Sequence, residues 1–469
     1  MIQRKTRFPH QVAAARMISA RGSGGFFMRM RTGKTLSCID AIGTLRSHPV
    51  LVICPASVIA SWESALLGDG WPPESIRAVR STAKKNPHQL RNLLILPGTS
   101  WAIVSFEMVR RLDVLMVRRR LPEGCGIPDW AAVVVDESYR VANDEARVVE
   151  YLLRRPKPAN QARFCLSGAP ASEHPLNFAT QYIFMDGHYF GCTSVDEYRE
   201  KYWVWNKWRF KWLPQDPAHL DAILNYVHGS AFCITLEDLG MGGMRLYDRI
   251  RVEPNEAQIK LLKWVSITTT YPDKKTGKTK IMDPLVRVTF EHKISTGVDP
   301  LSGNMISTGK VDAAVEYWIR RNRVPMLIIS RFVAPVAMAA TAFTAAGARV
   351  GSITGATSPA ERERIRSQFQ AGELDVVVSQ VIPVKMGLDF SALDSVIYLS
   401  NSFSQDDRSQ SEERGQHLHR TTPYNIVDIE TTGTHDSVLT EVLTIKRENA
   451  NLYVKAWNFD LLNTFRNGE

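Results

Sequence analysis

The chain has 469 residues, 44% apolar and 23% charged, a globular balance that excludes wholesale disorder and allows two to four domains at about 100–200 residues each. Its 58 Lys and Arg against 48 Asp and Glu give a formal charge of +10. The excess is local: residues 1–184 hold 25 basic and 14 acidic side chains, net +11, residues 185–310 hold 17 and 15, and residues 311–469 hold 16 and 19. A basic segment of this kind points to a polyanion, whether nucleic acid, nucleotide or acidic membrane, although a solvated surface has the same composition.

In chain order, an apolar stretch leads into Thr32-Gly33-Lys34-Thr35, and a helical pattern follows. Strand-like runs come next at 50–54 (VLVIC), 101–106 (WAIVSF), 131–137 (AAVVVDE) and 163–168 (RFCLSG). Residues 185–310 read differently, rich in Trp and Tyr and then in Pro, Gly and Lys; 271–280 (YPDKKTGKTK) has the composition of an exposed hairpin or loop. A capped helix is predicted over 307–321, followed by strands at 326–330, 348–355, 375–380, 394–400 and 425–430. Buried runs separated by helix-length segments predict parallel sheets of βαβ units. Two series of them predict two α/β lobes, 1–184 and 311–469, with an α-rich region 185–310 that completes the first lobe and bridges to the second.

Six cysteines at 38, 54, 125, 165, 192 and 233 form no CxxC or Cys/His metal spacing and read as free thiols of a reducing compartment. The start, MIQRKTRFPHQ, lacks the apolar core of a signal peptide. The longest uncharged run, Phe332 to Ala348, contains a proline and is shorter than a membrane span. A soluble, cytoplasmic protein with no membrane partner is expected.

The chemistry starts at the GKT turn. Backbone N–H groups there, with a helix N-terminus behind them, cradle phosphates. Lys34 would neutralise the β- and γ-phosphates, and the Thr35 hydroxyl would bind Mg²⁺. The first glycine of GxxxxGK[ST] falls at Met28, so the formal motif is not met. Asp136 and Glu137 end an apolar strand, where one carboxylate can hold the Mg²⁺ water shell and its neighbour can polarise an attacking water. A surface Asp-Glu pair is the plainer reading, and the strand before it argues against that. A second GKT, at 277–279, follows no strand and lies among lysines, so it reads as a loop.

The order of these motifs resembles the superfamily-2 helicase-type ATPases, most closely the Swi/Snf group of double-stranded-DNA translocases. Arg7-Phe8-Pro9-His10-Gln11 resembles the Q motif, MRMRTGKT (28–35) motif I, VLVICPASVIASWESAL (50–66) motif Ia, WAIVSFEMVRR (101–111) the following strand and helix, DESYRVAN (136–143) motif II and LSGAP (166–170) motif III. Later, MLIISRF (326–332) resembles motif IV, ITGATSPAERERIRSQF (353–369) a segment typical of the group, SQVIPVKMGLDFSALDSVIYL (379–399) motif V and QSEERGQHLHR (410–420) motif VI. The compact form is similar to phage-encoded members, which implies a bacterial or phage-infected host cell.

The resemblance implies two RecA-like lobes in tandem, with ATP and Mg²⁺ between them. Phe8 and Gln11 would face adenine; Arg31, Thr32, Gly33, Lys34 and Thr35 would hold the phosphates; Thr35 and Asp136 would hold Mg²⁺. Ser167 and Gly168 would couple hydrolysis to lobe movement. Gly387, Asp389, Gln410 and Arg414 would approach the nucleotide from the second lobe. Lys34, Asp136, Glu137, Arg414 and His417 form the catalytic set.

Four positions depart from the family pattern. Arg29 replaces an acidic residue and Arg31 a glycine in motif I, Tyr139 replaces a histidine in motif II, and His417 stands where the arginine finger is expected. That finger stabilises transition-state charge; Arg420, one helical turn on, is a candidate substitute.

A translocase grips the phosphate backbone and reads little sequence. The contacts implied are the turns at Pro55 and Ser57, Ser105, Ser330 and Arg331, Ser379 and Gln380, and Lys385. The run Arg110, Arg111, Arg118, Arg119, Arg120 reads equally as DNA contact or solvated face. In 201–212 (KYWVWNKWRFKW) Trp packing competes with stacking on bases and is the favoured reading. The function expected is ATP-driven translocation along double-stranded DNA, branched or protein-bound DNA included. Replication, recombination or transcription proteins are further possible partners. A strand-separating helicase on forked DNA or RNA, and a non-catalytic binding factor on a decayed motor fold, are the alternatives.

Overall fold

A computed structural model describes residues 6–79, 98–109, 130–141, 157–171, 174–207, 211–240, 243–272, 278–381, 390, 392–416, 420 and 422–454. The chain divides into two compact units, 1–239 with 448–469, and 240–447.

In the first unit the strands are β1 (Gly24–Met28), β2 (Val50–Cys54), β3 (Ile76–Val79), β4 (Trp101–Ser105), β5 (Ala132–Asp136), β6 (Ala162–Leu166), β7 (Trp203–Asn206), β8 (Lys211–Pro214) and β9 (Ala231–Ile234). Seven form a sheet in the order β3-β4-β2-β5-β6-β1-β9, and every pairing in it is parallel. Side chains alternate between two cores. Phe27, Leu51, Ile53, Val133 and Val135 face one, and Phe26, Met28, Val50, Val52 and Val134 face the other. Burial on both faces explains why these strands read as unbroken apolar runs.

The Trp-rich stretch divides along β7 and β8, an antiparallel hairpin. Trp203 is buried in the core, whereas Trp205 is 43% exposed and meets its cross-strand partner Trp212 edge-on at 5.5 Å. Cross-strand aromatic pairs of this kind stabilise a hairpin. Trp208, Arg110, Arg111 and Arg118–Arg120 lie outside the described residues.

The second unit adds β10 (Arg245–Val252), β11 (Thr270–Pro272), β12 (Thr279–Ile281), β13 (Met326–Ser330), β14 (Val350–Ile353), β15 (Val376–Gln380), β16 (Ser395–Tyr398) and β17 (Tyr424–Thr431). Six form a parallel sheet in the order β10-β17-β16-β13-β15-β14. β11 and β12 make the exposed hairpin read from 271–280. The helix predicted over 307–321 spans Gly309–Arg320, and the Thr308 hydroxyl donates to Asp312 instead of capping it. The 185–310 region contributes β7, β8 and β9 to the first unit, and β10 with the helices Glu256–Ile267 and Pro284–Ser295 to the second. No helix among the described residues is long and apolar enough to cross a membrane.

His292, 1% exposed, lies among the rings of Phe332, Phe403 and His435. Burial, with His435 adding to it, pushes its pKa down to about 3, whereas an unfolded histidine titrates near 6.5. A lowered folded pKa means the stabilisation is complete above about pH 6.5 and is lost as the pH falls toward 3. Between pH 7 and pH 5 the expected loss from this residue is about 2 kcal/mol. Urea midpoints at the two pH values check it: His292→Phe should lose correspondingly less than wild type, and parallel losses would refute the assignment.

Candidate nucleotide site

The phosphate-loop candidate connects β1 to the helix Lys34–Leu45. Gly33 precedes that helix at φ 92°, where only glycine sits without strain. A Cβ there would also lie 2.0 Å from Gln11 Nε2, so a larger residue would have to displace the glutamine as well as adopt a strained backbone. Arg31 holds φ 65° without being glycine, at a position where such conformations cluster in functional loops.

The N-terminal helix Pro9–Arg21 is tied to this loop. Gln11 Oε1 accepts from the Phe8 backbone N–H at 3.1 Å. His10 Nε2 donates to the Thr32 carbonyl at 2.8 Å and Gln11 Nε2 donates to it at 3.2 Å. Burial lowers the His10 pKa, so a neutral imidazole makes this bond. The Thr32 hydroxyl turns inward to the Arg29 carbonyl at 2.6 Å. It therefore shapes the loop, and the contribution left to Thr32 is its backbone.

Lys34 Nζ donates to the Met28 carbonyl at 2.8 Å, bringing the ammonium back over the loop. A Cβ at Gly168 would lie 3.8 Å from that nitrogen, so the motif III turn at the end of β6 meets the same group. Asp136 ends β5, the neighbour of β6, and is 5% exposed. Its Oδ2 accepts from Trp62 Nε1 at 2.8 Å and its Oδ1 from the Glu137 backbone N–H at 2.9 Å. Burial raises the Asp136 pKa, while Trp62, Lys34 and the Glu137 N–H pull the other way. Glu137 turns the chain out of the strand at φ 53°.

The structure thus gathers Gln11, Thr32, Gly33, Lys34, Asp136 and Gly168 at the carboxyl ends of parallel strands, where ligands of such sheets bind. A left-handed glycine before a helix N-terminus, an ammonium over the loop and a carboxylate within its field form a donor set that fits the phosphates of a magnesium nucleotide. The sequence signal for His10 and Trp62 was only their membership in the quoted motifs.

The strand-end turns fare unevenly. β2 and β4 are neighbours; Pro55 is buried and Ser57 exposed, while Ser105 Oγ accepts from the Met108 N–H at 3.3 Å. In the second unit β13 and β15 pair through Ser330 and Gln380. Ser330 and Ser379 are fully buried. Ser330 Oγ bonds Ser400 Oγ at 3.1 Å and accepts from the Phe332 N–H, and Ser379 Oγ donates to the Gln380 carbonyl. These two hydroxyls shape turns and present nothing outward, contrary to the contact expected of them. Gln380 Oε1 accepts from the Gly355 N–H at 2.9 Å, and the half-buried Arg331 lies 4.8 Å over the Phe403 ring.

Arg420 also departs from expectation. Its guanidinium donates to the carbonyls of Leu393 at 2.7 Å, Gly415 at 3.0 Å and Thr422 at 3.0 Å, and lies over Tyr424. With Pro423 at 3.5 Å it holds four backbone carbonyls together; such an arginine is a fold element, so it is a poor substitute for a missing finger. Arg414 is buried and Gln410 half-buried. Lys385, Gly387, Asp389 and His417 lie outside the described residues.

His292, His435 and Asp436 gather within 4.8 Å. Lys310 Nζ already bonds Asp436 at 2.6 Å, and Arg331 donates to His292 Nδ1 at 3.5 Å. Two cations balance this group, which argues against a metal there.

Comparison with known proteins follows the same lines. Residues 13–201 match the SNF2-related domain and residues 309–419 the helicase conserved C-terminal domain. The chain is 21% identical over 426 residues to the SWI/SNF-related matrix-associated actin-dependent regulator of chromatin subfamily A-like protein 1 of Xenopus tropicalis, covering 87% of this chain and 41% of that protein. The Xenopus laevis counterpart matches at the same identity and 40% coverage, so the chain spans about two fifths of the curated relatives it matches. Among solved structures, the Pyrococcus furiosus Hef helicase domain superposes with TM-score 0.51 at 13% identity, over 93% of this chain and 98% of that one. The Sulfolobus solfataricus SWI2/SNF2 ATPase core in complex with dsDNA gives 0.43 at 17%, over 96% and 92%.

Proposed function

We propose, for a chain that belongs to the superfamily-2 helicase-like proteins of the Swi/Snf type, that it is an ATP-dependent translocase on double-stranded DNA. The observation that supports this most is the convergence of Gly33, Lys34 and Asp136 at adjoining strand ends. In this reading Lys34 holds the β- and γ-phosphates of the substrate ATP. Thr35 and Asp136 would hold Mg²⁺, which when bound would neutralise charge on the leaving phosphates. Glu137 orients the attacking water, and Gln11 reads the base. Cycles of binding and hydrolysis move the two units along one strand, gripping phosphates and reading little sequence.

Phosphate release measured with blunt duplex, single-stranded DNA, forked DNA and RNA tests the proposal. Stimulation by blunt duplex, with triplex displacement and no strand separation, is the expected result. Strand displacement on forks without triplex displacement would instead favour a strand-separating helicase. A second reading, a non-catalytic binding factor, is favoured by His417 at the finger position and by the engagement of Arg420 with backbone carbonyls. No polynucleotide-stimulated phosphate release from wild type would establish that reading and end the motor.

A further inference from the structure

Asp136 is one of the most constrained carboxylates in the first unit. It ends β5, is 5% exposed, and receives one side-chain bond, from the Trp62 indole at 2.8 Å. The two residues are 74 apart in sequence. Trp62 belongs to the helix Ile59–Gly68 that follows β2. The helix packs against β3 and β4, and its Trp62 side chain reaches the end of β5, which lies beside β2. The indole is fully buried in the core that also holds Ile103 and Val134, with the Trp101 ring at 6.5 Å. A buried indole N–H usually finds an acceptor, and here the acceptor is the acid itself.

The chemistry of that donor matters. An indole N–H can donate and cannot accept. It therefore makes a single directional bond to one carboxylate oxygen. It also occupies one lone pair of Oδ2 while the Glu137 N–H occupies one of Oδ1. The carboxylate is held from two sides in one rotamer, with a lone pair remaining on each oxygen. Phenylalanine would fill nearly the same volume and supply none of this.

We infer that Trp62 is a positioning residue for the magnesium carboxylate, holding Asp136 in one orientation at the end of β5. The inference rests on the magnesium-nucleotide reading of the site and deepens it. Trp62 touches neither nucleotide nor metal; it acts through Asp136. Partners of this kind typically alter metal affinity about 10–100-fold when removed.

The experiment is ADP binding by calorimetry as a function of Mg²⁺, on wild type, Trp62→Phe, Asp136→Asn and the double variant. Trp62→Phe should raise the Mg²⁺ concentration for half-maximal binding about 10-fold and leave the metal-free affinity unchanged. In the Asp136→Asn background it should add nothing. An unchanged Mg²⁺ midpoint, or the same shift with Asp136 already neutralised, would overturn the inference while the nucleotide reading stands. No Mg²⁺-dependent ADP binding by wild type would end both. A second measurement needs no substitution at Trp62. With ¹⁵N-labelled indoles, one of the 11 tryptophan N–H signals should lie downfield, exchange slowly, move on adding Mg²⁺ and ADP, and lose its downfield shift in Asp136→Asn. Absence of such a signal counts against the bond itself.

Discussion

Lys34→Ala is expected to lower DNA-stimulated phosphate release by at least about 100-fold, the cost of removing one preorganised charge from a phosphoryl-transfer site. Folding should survive. Lys34 is half-buried at the first position of its helix, alanine is the best helix former, and the one hydrogen bond lost is to the Met28 carbonyl at the end of β1. Duplex binding without nucleotide should also survive, because no polynucleotide turn includes this residue. Steady-state phosphate release, thermal melting and duplex affinity on the same preparation separate these effects. Unchanged hydrolysis would remove the loop from the catalytic site.

Arg408→Met is expected to destabilise the second unit by about 3–5 kcal/mol, the range for breaking a buried ion pair by removing one partner. Arg408 is 5% exposed. Its Nη1 and Nη2 meet the two oxygens of Asp428 at 2.5 and 3.0 Å, and its Nε meets Glu412 at 2.6 Å. The guanidinium plane lies 3.6 Å over the Tyr398 ring. Methionine keeps much of the volume and leaves two buried carboxylates, helped only by Arg245 and Tyr247 on Glu412 and Asn401 on Asp428. A urea titration followed by circular dichroism gives the shift. Adding Asp428→Asn should recover part of the loss, because it removes one of the stranded charges. A midpoint unchanged in the single variant would show that the network contributes nothing net.

These two residues mark how far the sequence could be read. Lys34 was legible because a phosphate loop is local: strand, turn and helix occupy about twenty consecutive residues. The strands of both sheets were mostly legible because burial on two faces writes apolar runs. β10 was not, since its sequence, RLYDRIRV, carries four charges in eight residues; it is an edge strand with a single neighbour, where charge protects against further pairing. Arg408 with Glu412 at i,i+4 reads as an ordinary solvated helix pair. Its burial depends on Asp428 of β17, twenty residues on. Trp62 with Asp136 and His10 with Thr32 were hidden for the same reason, since spacing says nothing about partners on other elements. Charge drawn by sequence thirds also shifts once the units are known. Residues 1–239 with 448–469 hold 32 basic and 25 acidic side chains, and residues 240–447 hold 26 and 23, so both units are basic.

The Thr32 carbonyl takes two bonds from the first helix, from His10 and from Gln11, while the next residue leaves no room for a Cβ against Gln11. The residue assigned to the base and the loop assigned to the triphosphate are therefore tied at one carbonyl. A nucleoside triphosphate with the wrong base, failing to engage Gln11, would disturb the grip at its far end as well. Discrimination among bases would then show in turnover more than in occupancy: a poorly matched triphosphate would sit in the site and rarely fire.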